Sequence, residues 1–138
     1  MFLVYPAIFH KCNDEEGYFI TFPDLEGASQ AETESECIYM AQDFLGITLY
    51  DYLVENKEFP KPTSIKDVTI KDDGYTKVED SFVSLVGIDI HKYAKEMERE
   101  TIRKNVTIPS YLNEMGKNYN VNFSKILTEA LEREFEIE

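Results

Sequence analysis

The first third of the chain alternates short apolar runs with polar turns. Residues 1–10 and the stretch YFITF at 18–22 are largely apolar, and CNDEEG between them has the Asn, Asp and Gly of a turn. Aromatic and β-branched residues favour strands, so this pattern predicts a β-hairpin. Pro23 and Gly27 end the second strand, and ASQ at 28–30 predicts a short third strand at the sheet edge.

A helix is predicted after the hairpin. Thr33 and Glu36 have the spacing of a capping box, and the helix should run to about residue 55 and lie on the sheet. Its apolar residues repeat every three or four positions, which places them on one stripe. That stripe consists of Ile38, Ala41, Leu45, Leu49 and Tyr52.

The middle of the chain is less regular. Residues 56–80 are polar and contain two prolines, with a brief strand predicted at 64–70. FVSLVGIDI at 82–90 predicts another strand, and its length and apolar content favour a central position in the sheet. The charged segment 91–101 is expected to be a helix or a linker that joins the two halves.

The end of the chain predicts a strand followed by two helices. RKNVTI at 103–108 alternates and stops at Pro109, and helices are expected at 110–118 and 123–135. A unit this small cannot bury its own apolar face, so it should form a dimer. The expected dimer core consists of Val106, Ile108, Ile126, Leu127 and Leu131.

The polar side of that strand carries candidate DNA contacts. Arg103, Asn105 and Thr107 would face outward together, and two such strands paired about a two-fold axis form a ribbon that fits the major groove. The N-terminus of the second helix offers free N–H groups to a phosphate. Asn122 is the expected N-cap of that helix, and phosphate contacts are expected there from Asn122, Ser124 and Lys125. A purely structural dimerisation module is the alternative.

The charge is concentrated in the front of the chain. The net charge is −13, and residues 1–98 carry −12 of it, from 8 Lys and Arg against 20 Asp and Glu. Phosphate attraction needs Lys and Arg, so the chain is not a general nucleic-acid binder. The expected macromolecular partner of the front part is a basic protein.

Weak signals indicate the compartment. Cys12 and Cys37 have no metal-type or redox-type spacing and are interpreted as apolar residues in a reducing compartment. The opening MFLVYPAIF lacks the basic start and cleavage site of a signal peptide, and no stretch approaches the length of a membrane span. We expect a cytoplasmic protein with no membrane partner.

Both halves resemble bacterial families. The end of the chain resembles the ribbon-helix-helix repressors in the segment RKNVTIPSYLNEMGKNYNVNFSKILTEALEREF. In the turn between its two helices, Asn120 stands where such turns often have Gly. The front resembles the amino-terminal domain of HicB-type antitoxins in YPAIF (5–9), GYFITFPDLEG (17–27) and AETESECIYMAQDFL (31–45). Glu26 stands where that family usually has Pro. Members with a ribbon-helix-helix tail are common, so the order of parts agrees.

The resemblance implies an α+β fold in three parts. These are a partial RNase H-like domain (a small sheet plus a helix) at 1–90, a linker at 91–101 and a ribbon-helix-helix domain at 102–138. It also implies a non-enzymatic antitoxin without a cofactor. The antitoxin would cover HicA, a small basic RNA-cleaving toxin with a double-stranded-RNA-binding type of fold and a functional histidine, and a homodimer would repress its own operon on operator DNA. Toxin contacts are expected from the acids Asp14, Glu15, Glu16, Asp24 and Glu26.

Two other functions are weighed against this one. A ribbon-helix-helix repressor whose front domain senses a small ligand has no toxin partner. An RNase H-like enzyme needs a carboxylate set, for which Asp14, Asp24, Glu34 and Asp43 are candidates. Their contexts argue against catalysis, since Asp14 lies in a solvated charge cluster, Asp24 suits a turn and Asp43 has no evident partner.

Overall fold

The computed structural model describes residues 1–13, 16–97 and 101–135 and divides the chain into two compact units, 1–94 and 95–138. The described residues form a mixed α/β structure with one four-stranded antiparallel sheet and four α-helices. The strands are β1 (Phe2–Cys12), β2 (Tyr18–Thr21), β3 (Ala28–Ala31) and β4 (Thr76–Asp89). The helices are α1 (Glu34–Val54), α2 (Ile90–Met97), α3 (Ser110–Asn118) and α4 (Phe123–Glu134).

The sheet has the strand order β3-β2-β1-β4. The predicted hairpin is confirmed, because β1 pairs antiparallel with β2 and places Phe9 opposite Ile20. The predicted edge strand is also present as β3, which pairs with β2. Successive strand residues point to opposite sides, so Tyr5, Phe9 and Ile20 share one face, and all three are buried.

The strand β4 corrects two expectations. It lies at the sheet edge and not at its centre, although Val86 and Ile88 on one of its faces are buried in the core. On the other face Leu85 is 53% exposed, so the apolar run is not evidence of burial on both sides. The strand predicted at 64–70 is absent: Ile65–Asp67 form one 3-10 turn, and no neighbouring strand pairs with that segment.

Helix α1 packs on the buried face of the sheet. The predicted stripe is right for Ala41, Leu45 and Leu49, which are buried. It is wrong at its first position, where Ile38 is 42% exposed and Cys37 is buried instead. Cys37 and Ile38 are adjacent in the chain, and which of them faces the core depends on how α1 lies across the sheet.

The predicted capping box at the start of α1 is not formed. The side chain of Thr33 makes no cap hydrogen bond to the helix backbone. The Glu36 carboxylate accepts a hydrogen bond from the backbone N–H of Glu32 at 3.3 Å, one residue before the expected donor.

Helices α3 and α4 of the second unit lie where the sequence predicts them. The turn between them passes through Asn120 at φ 57°, a left-handed conformation that Asn tolerates. Gly116 leaves room for the ring of Phe123, which would overlap an added Cβ. Residues 101–109 have no regular secondary structure in this single chain. Since a strand is defined by a hydrogen-bonded neighbour, the strand at 103–108 stays a prediction.

Candidate partner-binding surfaces

The acids predicted to contact a basic partner lie on two segments. Asp14 and Glu15 are outside the described residues, and Glu16 is exposed beside them. Asp24 and Glu26 lie together in the loop between β2 and β3, where Glu26 is exposed and Asp24 is half-buried.

Asp24 also holds the segment that follows α1. Its carboxylate accepts hydrogen bonds from the backbone N–H and the hydroxyl of Thr63, at 2.9 and 2.6 Å. The Tyr5 hydroxyl donates to the Pro60 carbonyl at 2.6 Å. Burial and the nearby charge of Asp24 raise the pKa of Tyr5. The sequence indicated a local turn for Asp24, but its partner lies 39 residues away.

An open cleft of about 700 Å³ lies between the Asp24 loop and the C-terminal half of α1. Asp24 and Glu26 line one side, and Asp51 and Glu55 line the other. Lys57, also in the lining, lies 2.6 Å from the Glu55 carboxylate, and this hydrogen bond raises the pKa of Lys57. Four carboxylates against one ammonium leave the cleft negatively charged.

A second cavity, of about 390 Å³, is lined by His10 and by residues of the 63–73 segment. The His10 Nε2 atom lies 3.0 Å from the Thr21 hydroxyl. Its Nδ1 atom is buried and has no hydrogen-bond partner among the described residues. Burial lowers the pKa of His10. No motif in the sequence pointed to this cavity, because its walls come from distant segments.

The three described carboxylates among those weighed for catalysis lie in different surroundings. Asp24 is engaged by Thr63, Glu34 is exposed, and Asp14 is outside the described residues. Asp43 lies near the Tyr93 phenol, whose pKa is raised by burial and by that charge. In residues 1–13, 16–97 and 101–135, no three His, Cys, Asp or Glu side chains are grouped to hold a metal ion. Within the same ranges, no helix combines the length and apolar character needed to cross a bilayer.

The predicted DNA-reading residues lie on an exposed segment. Arg103, Asn105 and Thr107 are exposed, but so are Val106 at 59% and Ile108 at 41%. In a single chain, exposure therefore does not distinguish the polar side of this segment from its apolar side. The assignment of the polar side to DNA contacts stays a prediction.

The predicted cap of α4 is present. The Asn122 Oδ1 atom accepts a hydrogen bond from the backbone N–H of Lys125 at 3.0 Å. Ser124 and Lys125 are exposed on the first turn. This geometry leaves both side chains accessible to a phosphate, which is the role predicted for them.

The apolar face of α4 is only partly covered. Ile126 is 49%, Leu127 37% and Leu131 45% exposed, and Phe135 after the helix is 62% exposed. A helix with one apolar face normally buries that face, so this surface is suited to a partner.

The chain is similar to known proteins over nearly its whole length. A family model described as HicB_like antitoxin of bacterial toxin-antitoxin system matches residues 5–130. A chain of a toxin–antitoxin complex from Streptococcus pneumoniae is 33% identical, with a TM-score of 0.65 over 97% of this chain and 99% of that one. The Burkholderia pseudomallei antitoxin HicB is similar in fold, with 19% identity and a TM-score of 0.52 over 94% and 96% of the two chains. No curated protein sequence matches significantly.

Proposed function

Because the chain belongs to the HicB-like antitoxin family of bacterial toxin–antitoxin systems, we propose that it binds and inhibits a small basic HicA-type toxin that cleaves mRNA. The observation that carries this proposal is the family match over residues 5–130. The net charge of −12 on residues 1–98 supports it, since an acidic domain attracts a basic protein. In this proposal residues 1–90 form a partial RNase H-like domain that covers the toxin and has no nuclease activity of its own.

The second part of the proposal is that the chain represses its own operon as a dimer. Residues 102–138 would form the ribbon-helix-helix domain, and 91–101 would join it to the front. Two copies of the 103–108 segment would pair as a ribbon in the major groove of operator DNA. The half-exposed apolar face of α4 supports the dimer. In this proposal the protein binds both an mRNA-cleaving toxin and operator DNA. It therefore acts in the cytoplasm, without a cofactor or a membrane partner.

Copurification with the neighbouring gene product tests the proposal. We expect a small basic protein that cleaves mRNA when purified alone and stops cleaving when this chain is added. Added salt should slow association far more than dissociation, because exposed charges steer the encounter. If the two proteins do not bind each other, the antitoxin function is wrong.

The cavity beside His10 favours a second candidate, a ribbon-helix-helix repressor without a toxin partner that senses a small ligand. Its volume of about 390 Å³ lies within the range of small-molecule sites. Thr69 lines the cavity and is exposed, so Thr69→Phe should fill it without disturbing the core. A metabolite that changes operator binding by the native chain, but not by this variant, would support the second function.

A further inference from the structure

The outward side of α1 has an unusual surface for a helix that lies on a sheet. Cys37, Ala41, Leu45 and Leu49 face the core, and the opposite side should be polar. Instead, three large apolar side chains are exposed there: Tyr39 at 69%, Ile47 at 52% and Val54 at 59%. Acids accompany them at helical spacing: Glu36 and Asp51 are exposed, and Asp43 is half-buried near Tyr93. We call this set the outer stripe: Glu36, Tyr39, Asp43, Ile47, Asp51 and Val54.

The outer stripe is not explained by solvation alone. Single exposed apolar residues are ordinary, but these repeat along one side of the helix and alternate with carboxylates. The 21 residues of α1 include four acids and no Lys or Arg. From Tyr39 to Val54 the stripe extends about 22 Å at 1.5 Å per residue. That length suits a protein surface and exceeds a small-molecule site.

The stripe continues into the acidic cleft. Ile47 and Asp51 belong to the stripe and also line the cleft opposite Asp24 and Glu26. The Asp24–Thr63 hydrogen bonds hold that side of the cleft in place. One continuous surface therefore combines exposed apolar side chains with carboxylates.

The charge of this surface indicates which kind of partner binds it. A second copy of this unit would bring carboxylates against carboxylates, which is unfavourable because residues 1–98 carry a net charge of −12. A basic protein whose Lys and Arg flank apolar residues matches both parts of the surface. Resting on the proposed function, we infer that the outer stripe of α1 and the adjoining cleft are the docking surface for the basic toxin.

Paired variants of the full chain test this assignment, with the copurified toxin as the probe. Ile47→Ser removes an apolar contact from the stripe, and Leu85→Ser removes one of equal exposure from the far side of the sheet. Asp51→Lys reverses a stripe charge, and Glu79→Lys makes the same change of net charge on β4. We expect each stripe variant to weaken toxin binding roughly 10-fold or more, as interface anchors do, and each control to change it less than about 3-fold.

The outcomes separate this inference from the proposed function. Equal effects of stripe and control variants, with the toxin still bound by the native chain, would overturn the docking surface and leave the antitoxin function standing. No binding by the native chain would overturn both. A change of oligomeric state by Ile47→Ser in the absence of toxin would assign the stripe to a second copy and also overturn the inference. Because these side chains are exposed, thermal unfolding should be nearly unchanged, and Tyr39→Ala provides an independent stripe variant.

Discussion

The carboxylate of Asp24 accepts two hydrogen bonds from Thr63, one from the backbone N–H at 2.9 Å and one from the hydroxyl at 2.6 Å. The two residues belong to different loops, one after β2 and one after α1. Their contact joins segments that the sequence separates by 39 positions. It also fixes the loop that carries Asp24 and Glu26 beside α1, so it shapes the acidic cleft.

The first prediction concerns the stability that this contact provides. Thr63→Val keeps the β-branched shape and the backbone N–H but loses the hydroxyl, which leaves one oxygen of a half-buried carboxylate without its donor. We expect a loss of about 1–2 kcal/mol in the free energy of unfolding, measured by urea denaturation. Thr63→Ser retains the hydroxyl and should stay close to the native value. Identical urea midpoints for the native chain and Thr63→Val would contradict a stabilising role for the hydroxyl of Thr63.

The second prediction is a pH dependence that arises from His10. Its pKa in the folded protein lies below the ordinary value of 6.5 because of burial, so the unfolded chain binds the proton first as the pH falls. Stability is therefore fully present above about pH 6.5 and decreases below it, by at most about 1.4 kcal/mol per pH unit for one proton. Unfolding measured at pH 7.5 and pH 5.5 should show this slope in the native chain and lose it in His10→Asn.

The carboxylates of Asp73 and Asp89 do not obscure that test. Backbone hydrogen bonds lower the pKa of Asp73 and of Asp89, so their stabilisation is lost only as the pH falls below the ordinary value of 3.8. These losses of stability lie outside the range from pH 7.5 to pH 5.5 in which His10 is tested. Parallel slopes for the native chain and His10→Asn would mean that another group is responsible.

Local signals explain what the sequence predicted correctly. The hairpin, β3 and the two C-terminal helices depend on neighbouring residues: Pro and Gly punctuation, β-branched runs and the Asn122 cap. The left-handed conformation of Asn120 is also a local property, because Asn tolerates this conformation better than most residues do.

Contacts between distant segments explain what the sequence did not predict. Whether Cys37 or Ile38 faces the core depends on how α1 lies across the sheet, and the edge position of β4 depends on which strands pair. The Asp24–Thr63 contact and the His10 cavity join segments far apart in the chain. The strand predicted at 103–108 would need a second chain as its hydrogen-bonded neighbour, so neither the sequence pattern nor a single chain tests it.

The third prediction separates the helix cap formed by Asn122 from the phosphate contact proposed for it. Asn122→Ala loses the side-chain acceptor for the Lys125 N–H and should destabilise the second unit by about 1 kcal/mol. Asn122→Asp retains an acceptor oxygen and should remain stable, but its charge repels a phosphate at the helix N-terminus. Thermal unfolding and operator gel shifts of both variants check this. Unchanged DNA binding by Asn122→Asp would argue against a phosphate contact here.

The fourth prediction concerns the dimer. Leu131→Glu places a charge on the apolar face of α4, whose burial between two chains would otherwise drive association. We expect the native full-length chain to sediment as a dimer or a larger species at micromolar concentration. The variant should lose the contact between the α4 faces of two chains. Glu129→Gln changes a neighbouring position on the charged face and serves as the control. A monomeric native chain would rule out the dimer core of Val106, Ile108, Ile126, Leu127 and Leu131.

The fifth prediction assigns the reading of DNA to three side chains. If Arg103 binds a guanine through two hydrogen bonds, Arg103→Ala should cost roughly 1–3 kcal/mol and relax preference at one base pair in each half-site. Asn105→Ala and Thr107→Ala should act similarly at neighbouring base pairs. Lys125→Ala should instead weaken binding to all sequences and reduce its salt dependence, because a phosphate contact carries no sequence information.

A footprint on the chain's own promoter measures this, with the native chain and the triple variant Arg103→Ala, Asn105→Ala, Thr107→Ala. The acidic remainder of the chain should keep non-specific DNA binding weak, so a palindromic operator should be protected clearly by the native chain alone. Toxin inhibition should be unchanged in the triple variant, because the proposed toxin surface lies in residues 1–94. Equal protection by both proteins would show that these three side chains are not the reading surface, even if the dimer and the antitoxin function both stand.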